Sequence, residues 1–295
     1  MGAKTICADR GVIENVQPMH CRFLNTGYAP GDYNMALDAA LALGGFCDLP
    51  TLRIYRWQPF CISLGYHQNA DEIHLSKCKA GGLDVVRRPT AGRAILHAQE
   101  LTYSVAIPGR HDWHKILPLD LYRNISAALA SGLQLLGAPL EFAPGEKLYH
   151  EGKPLHLACF ASSARNEITA GGKKIIGSAQ RRFRNGVLQH GSILFAREHE
   201  RLADYLVGSP EEISAERLRL QQHTTTLAGI LPRPFSFDEV AQAVRAGFEE
   251  KMRVHFSAGD ILPEEHQLAE TWCERYRILN TNQQEKTVCE IFESR

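Results

Sequence analysis

The sequence predicts an α+β fold, a mixed or antiparallel β-sheet core with packed helices and a helical C-terminal part. Three observations carry this expectation. Apolar runs of strand length recur between turn residues, two longer stretches hold apolar residues at helical spacing, and 44% of the 295 residues are apolar, enough for a sizeable core.

The elements follow in order. Asp32–Leu43 reads as a helix with Met35, Leu37, Ala40 and Leu41 on one face and Gly44 as its stop. Residues 51–57 and 60–66 read as strands separated by Gln58-Pro59, and Asp71–Lys79 as a short helix closed by Gly81-Gly82. Residues 83–88 form a strand, PTAGR a loop, and residues 100–107 another strand. Asp120–Leu136 is a helix stopped by Gly137. A hairpin joins residues 166–170 to residues 173–179 through Gly171-Gly172, with residues 187–195 next. Ser236 and Glu239 predict a capping box ahead of the stripe Val240, Val244, Phe248 and Met252.

Charge and composition exclude several classes. There are 33 basic and 33 acidic residues, without the basic excess of a dedicated nucleic-acid binder. No window nears 18 consecutive apolar residues, and the opening MGAKTICADRGVIENV lacks a signal-peptide core. The expectation is a cytoplasmic protein with neither nucleic acid nor membrane as a partner. The eight cysteines contain no Cys-x-x-Cys pair and no regular framework, so most read as reduced, buried thiols rather than disulfides or a zinc site. Phosphate-loop, dinucleotide, nucleophile-elbow and HExxH patterns are absent. His97 and His190 read first as structural hydrogen-bonders.

Three segments interrupt apolar strands with small, basic and polar residues. In residues 87–104, Ala91-Gly92 permits close backbone approach, with Arg87, Arg88 and Arg93 around it. The plainer reading is a solvated surface loop. Lys173 to Arg184 carries five basic residues and no acidic one, a positive face suited to an acidic protein surface or a phosphate, or simply a solvated one. In residues 156–167, Cys159 ends an apolar stretch and precedes small polar residues, as a reachable thiol or a buried structural one.

Taken together, the segments resemble the lipoate-protein ligase and octanoyltransferase family, which shares its catalytic fold with biotin-protein ligase. The matching residues are Asn34-Met35-Ala36-Leu37-Asp38, then Arg87-Arg88-Pro89-Thr90-Ala91-Gly92-Arg93-Ala94 with His97. Lys174-Ile175-Ile176-Gly177-Ser178-Ala179-Gln180 and Gln189-His190-Gly191-Ser192 complete the set. The resemblance runs from about residue 21 to about 255, which implies a catalytic domain over 21–255 and a C-terminal helical extension, 256–295, packed on it.

What the resemblance implies about chemistry is specific. YNMALDAAL, DVVRRPTAGRA and ELTYSV are closer to the transferase branch that uses a cysteine nucleophile, and Cys159 resembles that nucleophile. Such an enzyme moves octanoyl from acyl carrier protein, through a cysteine thioester, to a lysine of a lipoyl domain or glycine-cleavage H protein. It needs no cofactor and no metal. Lys174 resembles the family's lysine, placed to stabilise the thiolate and, with its own pKa lowered by burial, to take the incoming amine's proton. Arg88, Thr90, Ala91, Gly92, Arg93, His97, Gly177, Ser178, Ala179 and His190 are the implied substrate-binding positions, with the Thr90–Arg93 loop at the acyl carbonyl; Ala94 and Leu96 read either as acyl-tunnel positions or as ordinary core. One departure is Ala91, where the family usually has glycine; its methyl narrows the acyl pocket or shifts the loop. The alternatives are an ATP- and magnesium-dependent lipoate-protein ligase and a non-catalytic acyl-binding protein of the same fold.

Overall fold

The computed structural model describes residues 18–143 and 167–281. Its elements in order begin with β1 (Met19–Ala29), α1 (Gly31–Leu43), β2 (Thr51–Trp57), β3 (Cys61–Leu64), α2 (Leu75–Ala80), β4 (Asp84–Arg87), β5 (Ile95–His97) and β6 (Glu100–Pro108). Then come α3 (Pro118–Leu135), β7 (Glu141–Ala143), β8 (Glu167–Ala170), β9 (Lys173–Lys174), β10 (Ile176–Phe183) and β11 (Gly186–Leu194). The chain continues through α4 (Pro210–His223), α5 (Leu227–Ile230), α6 (Phe237–Met252), β12 (Val254–Ala258), α7 (Pro263–Tyr276) and β13 (Arg277–Leu279).

The main sheet is six-stranded and mixed, ordered β10-β11-β6-β2-β1-β12, with β12, β1 and β2 parallel and the rest antiparallel. A four-stranded sheet, β13-β4-β3-β5, and a three-stranded one, β7-β8-β9, flank it. Strand alternation sorts the main sheet's side chains. Leu101, Tyr103, Val105 and Ile107 of β6 face α3 and α6 across the largest core, packing on Leu121, Ile125, Val240, Val244 and Phe248. On the other face, Ala106 and Leu188 meet Leu37 and Leu41 of α1, and Ala269 of α7 closes behind.

That layering explains where the structure departs from sequence expectation. Helix α1 has no solvent face: Asn34 through Ala42 are all buried, Asp38 included, because the sheet lies on one side and α7 on the other. Residues 51–57 and 60–66 join different sheets. Asp71–Lys79 splits into a 3₁₀ turn, Ala70–Glu72, and α2. The strand expected at 173–179 breaks at Ile175, so that β9 joins the small sheet and β10 crosses into the main one. At α6 only half of the capping box forms: the Ser236 hydroxyl accepts from the Glu239 N–H, while the Glu239 carboxylate pairs with Arg233. The C-terminal part carries α7 between β12, which extends the main sheet beside β1, and β13, which pairs with β4. Among the described residues no helix is long and apolar enough to cross a membrane.

Candidate active site

A cavity opens where β10, β11, β6 and β2 meet α1, β3 and β5. It holds about 320 Å³ of space free of atoms, its open mouth included. Its apolar wall is Met35, Tyr55, Trp57 and Ile95. Trp57 stacks on His97 with ring centroids 4.1 Å apart, and its indole N–H donates to Thr102 at 2.7 Å, which fixes the ring. On the opposite side β10 and β11 present Gly177 and Gly191. A Cβ at Gly191 would stand 2.2 Å from the Gly177 carbonyl oxygen, so this part of the wall stays bare backbone.

Two buried polar networks frame the cavity. In the first, Arg53 and Asp38 are fully buried and joined at 2.7 Å. Tyr55 and Ser104 also donate to the Asp38 carboxylate. Burial acts to raise the Asp38 carboxyl, but the Arg53 charge and these hydrogen bonds outweigh it and hold it below its ordinary value. Burial pushes the His190 imidazole down, so the ring is neutral near pH 7. Its Nδ1–H then donates to Asp38 at 3.1 Å, and its Nε2 accepts from the Thr90 hydroxyl at 2.6 Å.

In the second network Glu100 Oε1 accepts from Thr102, Ser192 and His97 Nδ1 at 2.6, 2.7 and 2.7 Å. His97 Nε2 exchanges a hydrogen bond with the Ser63 hydroxyl. Burial opposes ionisation of Glu100, and His97 with the two hydroxyls overcomes it, holding this carboxyl below its usual range.

The loop after β4 is pinned from beneath. Arg88 is buried, and its guanidinium donates to the carbonyls of Ser63, Ala91 and Arg93. A Cβ at Gly65 would lie 1.9 Å from the Gly92 carbonyl oxygen, and Gly92 itself has φ +105°. Both positions therefore require glycine for the loop to sit as it does.

Of the expected substrate positions, Arg88, His97, Gly177, Ser178, Ala179 and His190 line the cavity. Thr90 reaches it through His190. Ala91, Gly92 and Arg93 stand outside the lining, with Ala91 and Gly92 exposed, so the methyl of Ala91 does not narrow the cavity. Ala94 and Leu96 point away from it into the core beneath β3 and β4, and Ile95, between them, faces it instead. Lys174 is buried on β9; its carbonyl accepts from the Thr225 N–H, and it is not part of the lining.

The basic run does not form one face. Successive residues of β10 alternate, so Arg181 turns to the Pro89 carbonyl and the Tyr66 ring, while Arg182 turns the other way to the carbonyls of His114 and Ile116. Cys159 lies outside the described residues. Burial pushes the Cys21 thiol to about 12, Cys78 and Cys273 to about 11, and Cys61 well above its ordinary value. Among the described residues no group of three or more His, Cys, Asp or Glu could hold a metal ion.

Sequence reasoning missed Arg53, Glu100, Ser63 and Trp57 as site residues. The available signal was a charge inside an apolar strand: Arg53 in TLRIYRW, and Glu100 opening ELTYSVAI.

Comparison with known proteins agrees with this geometry. Residues 30–249 match the family described as "Lipoyl protein ligase A/B catalytic domain". Octanoyltransferase LipM of Symbiobacterium thermophilum is 40% identical over 272 residues, covering 88% of this chain and 97% of the relative. Octanoyltransferase LipM of Kyrpidia tusciae is 36% identical, covering 86% and 95%. Among solved structures, a lipoate-protein ligase A bound with ATP superposes with a TM-score of 0.69 at 26% identity, covering 87% of this chain and 95% of that one. On this evidence the chain belongs to the lipoyl protein ligase A/B catalytic-domain family.

Proposed function

We propose that this chain is an octanoyltransferase of lipoate biosynthesis, moving octanoyl from acyl carrier protein to a lysine of a lipoyl domain or glycine-cleavage H protein. The observation that carries the reading is the cavity. Met35, Tyr55, Trp57, Ile95 and the bare backbone at Gly177 and Gly191 supply its apolar surface, while Arg88, Ser63, Thr102, Ser192 and His190 on its walls are bonded within the protein, as is the Asp38 carboxylate beside it. Such a site suits an uncharged aliphatic tail, and relatives named octanoyltransferases match nearly their whole length.

The chemistry runs through Cys159. Its thiolate attacks the thioester carbon, and the carrier leaves as its thiolate, giving an acyl-enzyme. The lysine amine of the acceptor then attacks that carbon, forming the amide and releasing the Cys159 thiolate. The amine's proton passes to a base, the role given to Lys174. The Thr90–Arg93 segment, held by Arg88 and by Gly65, orders the mouth. No ATP is required, because the thioester is already activated.

The test is octanoylation of a lipoyl domain followed by intact mass, with octanoyl-carrier protein and without ATP. Transfer without ATP supports the reading. Transfer only from free octanoate or lipoate with magnesium-ATP would make the chain a ligase.

A further inference from the structure

The mouth of the acyl cavity carries positive charge that no neighbouring carboxylate neutralises. Arg181 of β10 sits on the cavity face of its strand, two residues beyond Ala179 of the lining. Its Nη1 donates to the Pro89 carbonyl, and its guanidinium lies 4.0 Å from the Tyr66 ring centroid and 4.7 Å from that of Phe183. The rings and the carbonyl hold the group in place, while its Nε and Nη2 edge meets no acceptor among the described residues.

A second charge comes from the C-terminal extension. Tyr276, the last residue of α7, packs on the cluster that holds Met35, Tyr55 and Trp57 of the cavity wall, and also on the cluster where Phe183 rests. Burial raises its hydroxyl, and the cations acting against this are Arg275 and Arg181. Arg275 is exposed, lies 4.8 Å over the Trp272 ring and has no carboxylate partner among the described residues. Several exposed arginines on other faces are paired, Arg110 with Asp48, Arg197 with Glu200 and Arg233 with Glu239.

A guanidinium laid on a ring keeps its flat edge for a carboxylate, which it grips with two parallel hydrogen bonds. Two such groups at one opening, with Tyr66 44% exposed beside Arg181, fit a protein surface rich in aspartate and glutamate. We propose that Arg181, Arg275 and Tyr66 form the docking rim for the acidic face of the acyl carrier protein, so that α7 takes part in receiving the donor. The inference rests on the carrier-donor reading above and adds to it the surface that the donor meets. The donor is the partner that this rim suits, because it must keep its chain in the cavity until the thioester reaches the nucleophile.

The experiment titrates the full chain into fluorescently labelled acyl carrier protein lacking its pantetheine arm, and follows anisotropy at low and high salt. Without the arm, neither its phosphate nor an acyl chain contributes. Wild type should bind, and more weakly as salt rises. Arg275→Glu should weaken binding at least about tenfold at low salt and flatten the salt dependence, while Arg275→Lys should keep most of the affinity. Arg123→Glu makes the same charge change on α3, across the sheet from α7, and should leave binding unchanged. No binding of the arm-free carrier, unchanged binding in Arg275→Glu, or an equal loss in Arg123→Glu would overturn the proposal. So would a loss in Arg275→Glu seen with a labelled lipoyl domain and not with the carrier. No acyl transfer is measured, so the rim can stand if octanoyl transfer fails, or fail while octanoyl transfer stands.

Discussion

The Thr90 hydroxyl donates to His190 Nε2 at 2.6 Å, across 100 positions of sequence. The bond ends a buried relay from Arg53 through Asp38 and His190 to the loop at the cavity mouth. Thr90→Val keeps the shape and removes the donor, leaving His190 Nε2 bare at a cost of about 1–3 kcal/mol. Thr90→Ser should restore most of it. Urea unfolding of both variants, with KM for the octanoyl donor, checks this; equal stability of Thr90→Val and wild type would show that the bond orders nothing.

Acid should weaken the fold in two stages. The folded His190 imidazole titrates below its unfolded value of about 6.5, so below that pH the unfolded chain binds a proton the native chain refuses, and stability falls. Burial does the same to His111 and His199. Asp38 and Glu100 are depressed carboxyls, so their stabilisation is complete above the unfolded values of about 3.9 and 4.3 and is lost as pH falls through and below these. Asp84, raised by burial, acts in the opposite sense. Unfolding free energies from pH 8 to 3 should show both stages, with a shallower upper stage in His190→Gln. A flat profile between pH 7 and 5 would contradict the neutral, buried His190.

The sequence made β2, β3, β4, β6, β8, β10 and β11, helices α1, α3 and α6, and the cavity positions Arg88, His97, Gly177, Ser178, Ala179 and His190 legible, because periodicity and the Arg88–Ala94 and Lys174–Gln180 motifs are local signals, whereas β1, β12 and β13 went unread. It did not reveal which face each residue took. Ile95 rather than Leu96 lines the cavity because a strand shifted by one residue swaps its faces. Helix α4 carries a full capping box at Ser209 and Glu212, yet few of its residues are apolar and only Glu216 and Leu220 are buried, so periodicity is nearly silent there. The pairing of Asp38 with Arg53 depends on α1 lying across β2, which no local pattern encodes.

Arg181 and Arg182 should therefore behave differently. Arg181→Glu places a negative charge between Pro89 and Tyr66 beside the mouth, and should weaken use of an acidic carrier and change the salt dependence of the rate. Arg182→Glu breaks contacts to His114 and Ile116, and should chiefly destabilise the protein, by about 1–3 kcal/mol. Equal salt dependence in the two variants, each compared with wild type, would mean that neither meets the carrier.

Gly65→Ala tests the mouth without touching the cavity lining. The new methyl collides with the Gly92 carbonyl at 1.9 Å, backbone against backbone, so the Thr90–Arg93 segment must move. The protein should fold with a loss of about 1–3 kcal/mol, while octanoyl transfer falls at least tenfold. Ala91→Gly, at an exposed position off the lining, should leave chain-length preference unchanged. A shift in chain-length preference in Ala91→Gly alone would show that the methyl reaches the acyl chain after all.

Cys159→Ser decides the mechanism. The nucleophile must ionise near neutral pH, and burial pushes the Cys21, Cys61, Cys78 and Cys273 thiols up, away from that range. Replacing these four by Ser or Ala should cost only stability, about 1–3 kcal/mol at buried positions. Cys159→Ser should fold normally and transfer octanoyl very slowly, because an alcohol is far less ionised than a thiol. A trapped octanoyl ester is the most informative outcome, since oxygen esters resist amines better than thioesters do. Lys174→Ala should lower the rate while leaving Cys159 open to slow acylation. Intact mass after incubation with octanoyl-carrier protein, then peptide mapping of the adduct, reads all of these. An adduct on any other cysteine, or full activity in Cys159→Ser, would remove the acyl-enzyme and leave direct transfer or the ATP-driven route.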